Sequence, residues 1–168
     1  MVSQLLVNDL ETERLIIRRF ALSDSPFIIK LLNQQSFIVN IRDSKVRTVT
    51  DAENYIQKLS LLCVTLKDGT PIGMNGLIKR ETLPYTDIGF AFLDQYMGKG
   101  YAFESAKAIL TEGFKHLDTI AAITSPNNNA SIGLLMKLGF TYKEMIEVTQ
   151  GDTVKLFLET AETFRHRS

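Results

Sequence analysis

The stretch at residues 86–110, TDIGFAFLDQYMGKGYAFESAKAIL, constrains the fold more than any other part of the chain. It begins with a strand pattern, turns at two glycines and continues at once with apolar residues at helical spacing. The next apolar run, TIAAITS, has the pattern of a central strand that is covered on both faces. A strand, a helix and a further strand in this order predict a sheet with helices packed against it.

Further strand and helix patterns precede this unit. RLIIRRF, residues 14–20, predicts a strand because it is rich in β-branched residues. Two helices are predicted next, from SDSPFIIKLLNQ and from TDAENYIQKL, and Thr50 with Glu53 forms a predicted capping box in the second. LLCVTL and PIGMNGLIKR then predict a hairpin that bends at Asp68 and Gly69.

Two strands and a helix follow the central strand TIAAITS. NNNASIGLLMKLGF predicts a capped helix that Gly139 ends, and TYKEMIEVT and TVKLFLET predict two strands around Gly151 and Asp152. The complete order predicts an α/β or α+β domain with a mixed sheet. No repeat or linker pattern interrupts it, so we expect residues 1–168 to form a single domain.

Composition narrows the class of protein. The 45% apolar and 23% charged fractions are ordinary for a globular chain, and the 19 Lys and Arg residues balance the 19 Asp and Glu residues. These totals favour no nucleic-acid partner. Cys63, the one cysteine, excludes an internal disulfide and is expected to be a buried strand residue rather than a reactive thiol.

The apolar segments predict no membrane association. The N-terminal residues MVSQLLVNDLETERL lack the basic start and long apolar core of a secretory signal. The longest apolar run, LSLLCVTL, is too short to span a bilayer. We therefore expect a cytoplasmic protein.

The turn MGKGYA joins a strand to a helix and is a candidate anion cradle. Backbone N–H groups at a helix start lack intrahelical partners, and the helix dipole makes that end electropositive. Glycines allow several N–H groups to converge, and Lys99 adds a positive charge. The turn has neither the Walker A ending nor the Rossmann spacing, so a plain tight turn remains the alternative.

The helix start SPNNNASIG carries more polar side chains than one N-cap needs. One interpretation is that a single Asn or Ser caps the helix and the others are solvated. The other is that Asn128 and Ser131 face a ligand between two neighbouring strands.

Together these segments resemble the GNAT superfamily of acyl-CoA-dependent N-acyltransferases, in particular its RimJ/RimL-type ribosomal-protein N-acetyltransferase branch. LETERLIIRRF resembles the opening strand of that family, TDIGFAFLDQYMGKGYAFESAKAIL its acetyl-CoA motif, and NNNASIGLLMKLGF the motif that follows. The resemblance covers nearly the whole chain. It implies a mixed, mostly antiparallel central sheet of about six to seven strands flanked by helices.

The resemblance also implies how acetyl-CoA is held. The family's cradle, Gln/Arg-x-x-Gly-x-Gly/Ala, corresponds here to Met97, Gly98, Lys99, Gly100, Tyr101 and Ala102. Met97 departs from the usual polar first residue, which should weaken rather than abolish binding. The pantetheine arm is implied to pair like an extra strand with the backbone of Phe90 and Phe92, and Asn128 is implied to contact that arm.

The catalytic residues are less well marked. Many members carry a tyrosine acid where this chain has Leu135, and others carry a carboxylate on the strand that reads TIAAITS here. The RimJ/RimL-type pattern instead implies Ser131 as proton donor to the leaving thiolate and Asp87 as general base through water. From the residues alone, Asp87 can equally be an exposed strand-start residue and Ser131 a helix-start hydrogen bonder. Glu104, the family's glutamate after the cradle, is interpreted as structural.

The implied activity is direct attack of an amine on the acetyl-CoA thioester, with a protein N-terminal α-amine or a small-molecule amine as acceptor and a monomer or homodimer as the active form. Two alternatives remain: a non-catalytic acyl-CoA-binding module that senses or scaffolds, and a domain whose glycines only make a turn. No cluster of His, Cys and carboxylate residues has metal-ligand spacing, so no metal is expected.

Overall fold

The computed structural model describes residues 8–167, within which eight strands form one sheet and six α-helices pack around it. The strands are β1 (Leu10–Glu11), β2 (Leu15–Arg18), β3 (Leu62–Leu66), β4 (Pro71–Lys79), β5 (Thr86–Phe92), β6 (Thr119–Thr124), β7 (Thr141–Thr149) and β8 (Asp152–Thr160). The helices are α1 (Ser25–Leu32), α2 (Gln35–Asn40), α3 (Val49–Lys58), α4 (Tyr101–Gly113), α5 (Asn129–Leu138) and α6 (Ala161–Arg167).

The strand order across the sheet is β1-β2-β3-β4-β5-β6-β8-β7, and every neighbouring pair is antiparallel except β5 and β6. The expectation of a mixed, mostly antiparallel sheet flanked by helices is confirmed. The number of strands among the described residues is eight rather than six to seven. The difference arises because β1 has only two residues, Leu10 and Glu11, which are too few to show an alternating pattern.

The two faces of the sheet carry separate hydrophobic cores. Residues such as Ile109 and Leu110 of α4 pack with Leu77 and Ile120 on one face. On the other face, α1, α2 and α3 pack with Cys63 and neighbouring strand residues. Cys63 is fully buried, as predicted, and burial raises the pKa of its thiol to about 12.

The parallel pair β5 and β6 is joined over a very short distance. Only Thr86 pairs with Ile120 and Asp87 with Ala121. Beyond these two pairs, residues 88–92 of β5 remain paired with β4 and residues 122–124 of β6 remain paired with β8. The two strands therefore diverge toward their carboxyl ends and leave a wedge-shaped opening within the sheet.

Local capping explains where α3 begins. The side chain of Thr48 accepts a hydrogen bond from the Asp51 N–H (3.1 Å), and the side chain of Asp51 accepts one from the Thr48 N–H (3.1 Å). The predicted box of Thr50 and Glu53 is therefore wrong by two residues. Both pairs satisfy the same sequence rule, and the chain uses the first because Thr48 is the residue with extended backbone.

Two short helices have no counterpart in the sequence prediction. They are α2, in a segment that reads as a loop, and α6, in the polar C-terminal tail. Residues 1–7, which enter the argument against a secretory signal, lie outside the described residues. Over residues 8–167, no helix combines the length and apolar character needed to cross a membrane.

Candidate active site

The wedge-shaped opening is widest at the carboxyl ends of β5 and β6. Helix α4 begins at Tyr101, soon after β5 ends, and α5 begins at Asn129, soon after β6 ends. Both helix N-termini therefore lie at the wide end of the opening. In α/β sheets this is the place where ligands bind, and the two helix dipoles make it electropositive.

The turn before α4 presents a row of unpaired backbone donors. Residues 98–103 donate no backbone hydrogen bond to any acceptor within the described chain, and the first N–H that does so is that of Glu104, to the Gly100 carbonyl (3.0 Å). Gly98 and Gly100 have φ values of 75° and 86°, a left-handed conformation that turns successive N–H groups toward one side.

The two glycines are needed for different reasons. A Cβ on Gly98 would have no atom within 4 Å, so the space beside it is open to a ligand. A Cβ on Gly100 would lie 3.1 Å from Nη2 of Arg14, so that side of the turn is already occupied by the protein. Met97 is half exposed, and its N–H donates to the Asp94 carbonyl (3.1 Å), so it adds no free donor to the row.

Arg14 fastens this turn to the start of β2. Its Nη1 donates to the Lys99 carbonyl (3.0 Å), its Nε donates to Oε1 of Glu104 (2.7 Å), and its guanidinium lies 4.4 Å from the Tyr101 ring centre. Glu104 also accepts from the Arg14 N–H (2.9 Å) and the Thr12 hydroxyl (2.6 Å). The structural interpretation of Glu104 is confirmed by the three hydrogen bonds that its carboxylate accepts.

Glu104 is ionised in this network. Partial burial acts to raise the pKa of its carboxyl, but the hydrogen bonds from Thr12 and Arg14 outweigh burial and hold the pKa below its usual range.

A pocket of about 470 Å³ adjoins the turn, and three cationic side chains and two glutamates contribute to its lining. Its lining includes Arg14, Phe103, Lys107 and Lys137, and Nζ of Lys137 lies 4.8 Å from the Phe103 ring centre. An aromatic ring beside several cations suits an anionic ligand that also has a flat ring.

The inner edge of β5 provides further backbone groups. The Leu93 N–H donates to the Ile72 carbonyl of β4 (2.9 Å), so by alternation the backbone groups of Phe92 and Phe90 point away from β4, toward the opening. The carbonyl of Phe92 already accepts a hydrogen bond from Nε2 of Gln34 (3.2 Å). The Phe92 N–H and both backbone groups of Phe90 have no such side-chain partner within residues 8–167.

Helix α2 spans the mouth of the opening. At one end the Ser36 hydroxyl donates to Oδ1 of Asp94 (2.6 Å), and Oε1 of Gln34 accepts from the Asp94 N–H (2.7 Å). At the other end the Asn40 carbonyl accepts from the Ser125 hydroxyl, just after β6 (3.2 Å). The six residues of α2 extend about 9 Å, and their hydrogen bonds at the two ends connect the residues after β5 with those after β6.

At the start of α5 the capping interpretation is confirmed. Oδ1 of Asn128 accepts from the Ser131 N–H (3.2 Å), which satisfies one of the free donors of the helix. The Ser131 hydroxyl is half-buried and has no hydrogen-bond partner in the part of the chain that the structure describes. Leu135 is buried in the core one turn later, so the side chain at that position cannot donate a proton. Contact of Asn128 with a ligand stays a prediction.

Asp87 lies at the narrow end of the opening, where β5 and β6 still pair. Its side chain is 1% exposed, so the alternative of an exposed strand-start residue is wrong. Nε of Arg80 donates to both carboxylate oxygens, at 3.0 and 3.3 Å. Burial raises the pKa of the Asp87 carboxyl, whereas the positive charge and hydrogen bonds of Arg80 act in the opposite direction.

Sequence reasoning missed the residues that hold the site together. No local pattern marks them, because each binds a partner that is distant in sequence or lies across a loop. They are Arg14, Gln34, Ser36 and Arg80. Among the described residues, no group of three or more His, Cys, Asp or Glu side chains is placed to hold a metal ion.

Comparison with known proteins gives a consistent family. The family model described as an acetyltransferase (GNAT) domain matches residues 14–141. The uncharacterized N-acetyltransferase YnaD of Bacillus subtilis is 30% identical over 136 residues, which cover 76% of this chain and 79% of that protein. The uncharacterized B. subtilis protein YkkB is 33% identical over 84 residues, and the matched segment spans about half (49%) of its length.

Solved structures share the fold. An acetyltransferase of the GNAT family from Bacillus anthracis superposes with a TM-score of 0.80 at 25% identity, over 92% of this chain and 99% of that one. RimL, a ribosomal L7/L12 α-N-protein acetyltransferase in complex with coenzyme A, superposes with a TM-score of 0.78 at 14% identity, over 91% and 98%. The second likeness concerns the fold alone.

Proposed function

This chain belongs to the acetyltransferase (GNAT) domain family, and we propose that it transfers an acetyl group from acetyl-CoA to a primary amine. The observation that carries the proposal is the opening between β5 and β6, with unpaired N–H groups of residues 98–103 at its wide end. A diphosphate fits such a row of donors, and the open space beside Gly98 admits it without meeting a Cβ.

The remaining parts of a CoA molecule also find suitable groups. The amides of the pantetheine arm would pair with the exposed backbone of Phe90 and with the Phe92 N–H, as an added strand does. The Asn128 amide would contact the arm from the β6 side. Phe103, Lys107 and Lys137 of the adjoining pocket would receive the nucleotide. Acetyl-CoA supplies an activated thioester carbonyl.

The chain's own residues would manage the protons. An α-amine has a pKa of ~8 and a lysine side chain one of ~10.4, so the acceptor has to lose a proton before attack. Asp87 is the proposed general base, through a water molecule, because its carboxyl lies at the narrow end of the opening and burial raises its pKa. Arg80 fixes the carboxylate in position.

Two further groups would act on the thioester end. A β5 backbone N–H that faces the opening would stabilise the developing oxyanion. The Ser131 hydroxyl is the proposed proton donor to the leaving thiolate, and its lack of a protein partner within the described residues leaves it available for that contact. Leu135, in place of the tyrosine that many family members use as the acid, leaves this role to Ser131.

We further propose that the chain is of the RimJ/RimL type and acetylates an α-amine of a peptide or a small amine. The RimL fold supports this placement. We also propose that residues 1–168 form one domain, because one continuous sheet runs through the described part. We propose in addition that the protein works in the cytoplasm, because a single buried thiol suits the reducing conditions there.

The experiment is a coupled measurement of binding and turnover. The protein is titrated with CoA by calorimetry and then incubated with acetyl-CoA and an amine panel that includes peptides beginning with Ser, Ala or Thr, while free thiol is followed. CoA binding together with amine-dependent thiol release supports the proposal. Binding without release from any amine contradicts the transferase activity.

One observation favours a second candidate, a non-catalytic acyl-CoA-binding module. The proposed base is closed over by Arg80 and has almost no surface of its own. In such a module the ion pair would serve only to hold β5 and the loop after β4 together. The same experiment separates the two, because the module binds CoA and releases no thiol.

A further inference from the structure

The peptide unit between Lys99 and Gly100 has a fixed direction. Its carbonyl accepts a hydrogen bond from Nη1 of Arg14 (3.0 Å) on the inner side of the turn. In a trans peptide the C=O and the N–H point in opposite directions. The Gly100 N–H is therefore held away from Arg14, and no acceptor within the described residues takes it up.

Arg14 is itself held in one orientation. Its Nε and backbone N–H bind the two carboxylate oxygens of Glu104, at 2.7 and 2.9 Å, and its guanidinium rests on the ring of Tyr101. The Thr12 hydroxyl binds the same carboxylate at 2.6 Å. Glu104 lies in the first turn of α4, so the guanidinium connects the start of β2, the turn and the helix in one network.

We propose that Arg14, oriented by Glu104, is a positioning residue for the anion cradle: it turns the Lys99–Gly100 peptide so that the Gly100 N–H faces the diphosphate of CoA. This inference rests on the proposed function. Arg14 acts on the cradle through the backbone, because its Nε is directed to Glu104 and its Nη1 to the Lys99 carbonyl.

A lysine cannot replace this arginine. Three contacts depend on the planar fork of the guanidinium, namely those with Glu104, the Lys99 carbonyl and the Tyr101 ring. An ammonium group keeps the charge but has one nitrogen and no flat face. Charge alone therefore does not restore the position of the peptide.

The test compares Arg14→Lys, Arg14→Gln, Glu104→Gln and the double variant Arg14→Gln/Glu104→Gln. Calorimetry with CoA is expected to show affinity lower by on the order of tenfold in each single variant, since one bond to a charged group is misplaced. The double variant should lose no more than the worse single variant, because Glu104 acts through Arg14. Circular dichroism and melting temperature establish that each variant is folded.

A second readout isolates the diphosphate. With S-acetylpantetheine, which lacks the diphosphate, kcat/KM should be the same in Arg14→Gln and in the wild-type protein, whereas KM for acetyl-CoA should rise with kcat unchanged. Lys67→Gln is the control: it breaks the Lys67–Glu11 ion pair (2.6 Å) and contacts no part of the turn, so CoA affinity should not change.

The outcomes separate the inference from the function on which it rests. If the wild-type protein does not bind CoA, the proposed function is wrong and the inference falls with it. If the wild-type protein binds CoA and the Arg14 variants bind it equally well, only the inference is overturned. It is also overturned if Arg14→Lys keeps full affinity, if the losses multiply in the double variant, or if S-acetylpantetheine is affected equally.

Discussion

Arg80 closes over Asp87: Nε of the arginine lies 3.0 and 3.3 Å from the two carboxylate oxygens, and the arginine side chain is 40% exposed while the aspartate is 1% exposed. The proposed base therefore has almost no exposed surface of its own, whereas its partner is partly exposed. The opposing effects of burial and of Arg80 on the pKa of Asp87 make the pair testable.

Replacing Arg80 should move the acid limb of the pH–rate profile. In Arg80→Gln the larger of the two positive charges that lower the pKa of Asp87 is gone, while burial and the smaller effect of Lys79 remain, so the pKa rises. A base has to be deprotonated to act, so the acid limb of kcat/KM should shift to higher pH. Lys115→Gln, which removes an exposed ion pair with Glu112, is the control and should leave the profile unchanged.

Asp87→Asn should lower kcat by on the order of 10² with CoA affinity intact, and full activity in that variant would remove Asp87 from the mechanism.

Two substitutions at the start of α5 should separate chemistry from capping. Ser131→Ala removes the hydroxyl but keeps the N–H that Asn128 caps, so we expect slower turnover with little change in stability. Asn128→Ala removes the cap acceptor and should lower the free energy of unfolding by about 1 kcal/mol. Urea denaturation and thiol-release kinetics measure the two effects. Normal kcat in Ser131→Ala would exclude its role as proton donor.

Gly98→Ala should weaken CoA binding, and the backbone strain of a left-handed alanine should not account for that loss. Gly98 (φ 75°) and Gly151 (φ 81°) both have left-handed backbone, and a Cβ at either position meets no atom within 4 Å. Either alanine substitution should therefore lower the free energy of unfolding by about 1–2 kcal/mol, because a residue with a Cβ is strained in the left-handed conformation. Of these two glycines, only Gly98 belongs to the row of unpaired N–H groups. Calorimetry should show weaker CoA binding for Gly98→Ala and unchanged binding for Gly151→Ala; equal affinities would place the diphosphate elsewhere.

Cys63 should be silent in thiol assays of the native protein. It is fully buried and its thiol pKa is raised to about 12, so almost no thiolate forms at neutral pH. An aromatic disulfide reagent should detect no protein thiol before denaturation and one per chain in denaturant. Rapid reaction of the folded protein would contradict the burial of this strand, and Cys63→Ala would then be needed for release assays.

Acid should loosen the Arg14 network through Glu104. The folded-state pKa of Glu104 lies below its ordinary value of ~4.3, so this group adds stability above that pH, and the contribution is lost as the pH falls through the folded-state pKa. The free energy of unfolding, measured by urea denaturation from pH 7 downward, should fall less steeply below pH ~4.3 in Glu104→Gln than in the wild-type protein. Equal slopes would show that the carboxyl is not perturbed.

Local patterns predicted most of the fold. The strand–glycine turn–helix unit and the hairpin at Asp68 and Gly69 are encoded within a few residues, so their periodicity and turn chemistry were sufficient. Helix α2 was missed because six residues with a single buried side chain, Phe37, show no helical stripe. The start of α3 was misplaced because two overlapping capping patterns, two residues apart, are equally good in sequence.

In the site, too, the features that a local motif encodes could be predicted, and those that depend on distant residues could not. The donors at residues 98–103 follow from one short motif, because the backbone of a glycine turn makes them. The burial of Asp87 does not follow from its strand pattern, since it depends on the position of Arg80. Arg14 and Glu104 stand 90 residues apart, and only the folded sheet brings them together.

The join between β5 and β6 has a mechanical consequence. The sheet is continuous across this line only through the pairs Thr86–Ile120 and Asp87–Ala121. Strands β6, β8 and β7 thus form a leaf that is joined to the rest of the sheet by few backbone pairs, close to the buried Asp87 and its partly exposed partner Arg80. A pantetheine arm lying in the wedge would brace that leaf as a ninth strand, so amide hydrogen exchange in β6 should report cofactor loading at a distance from the cradle.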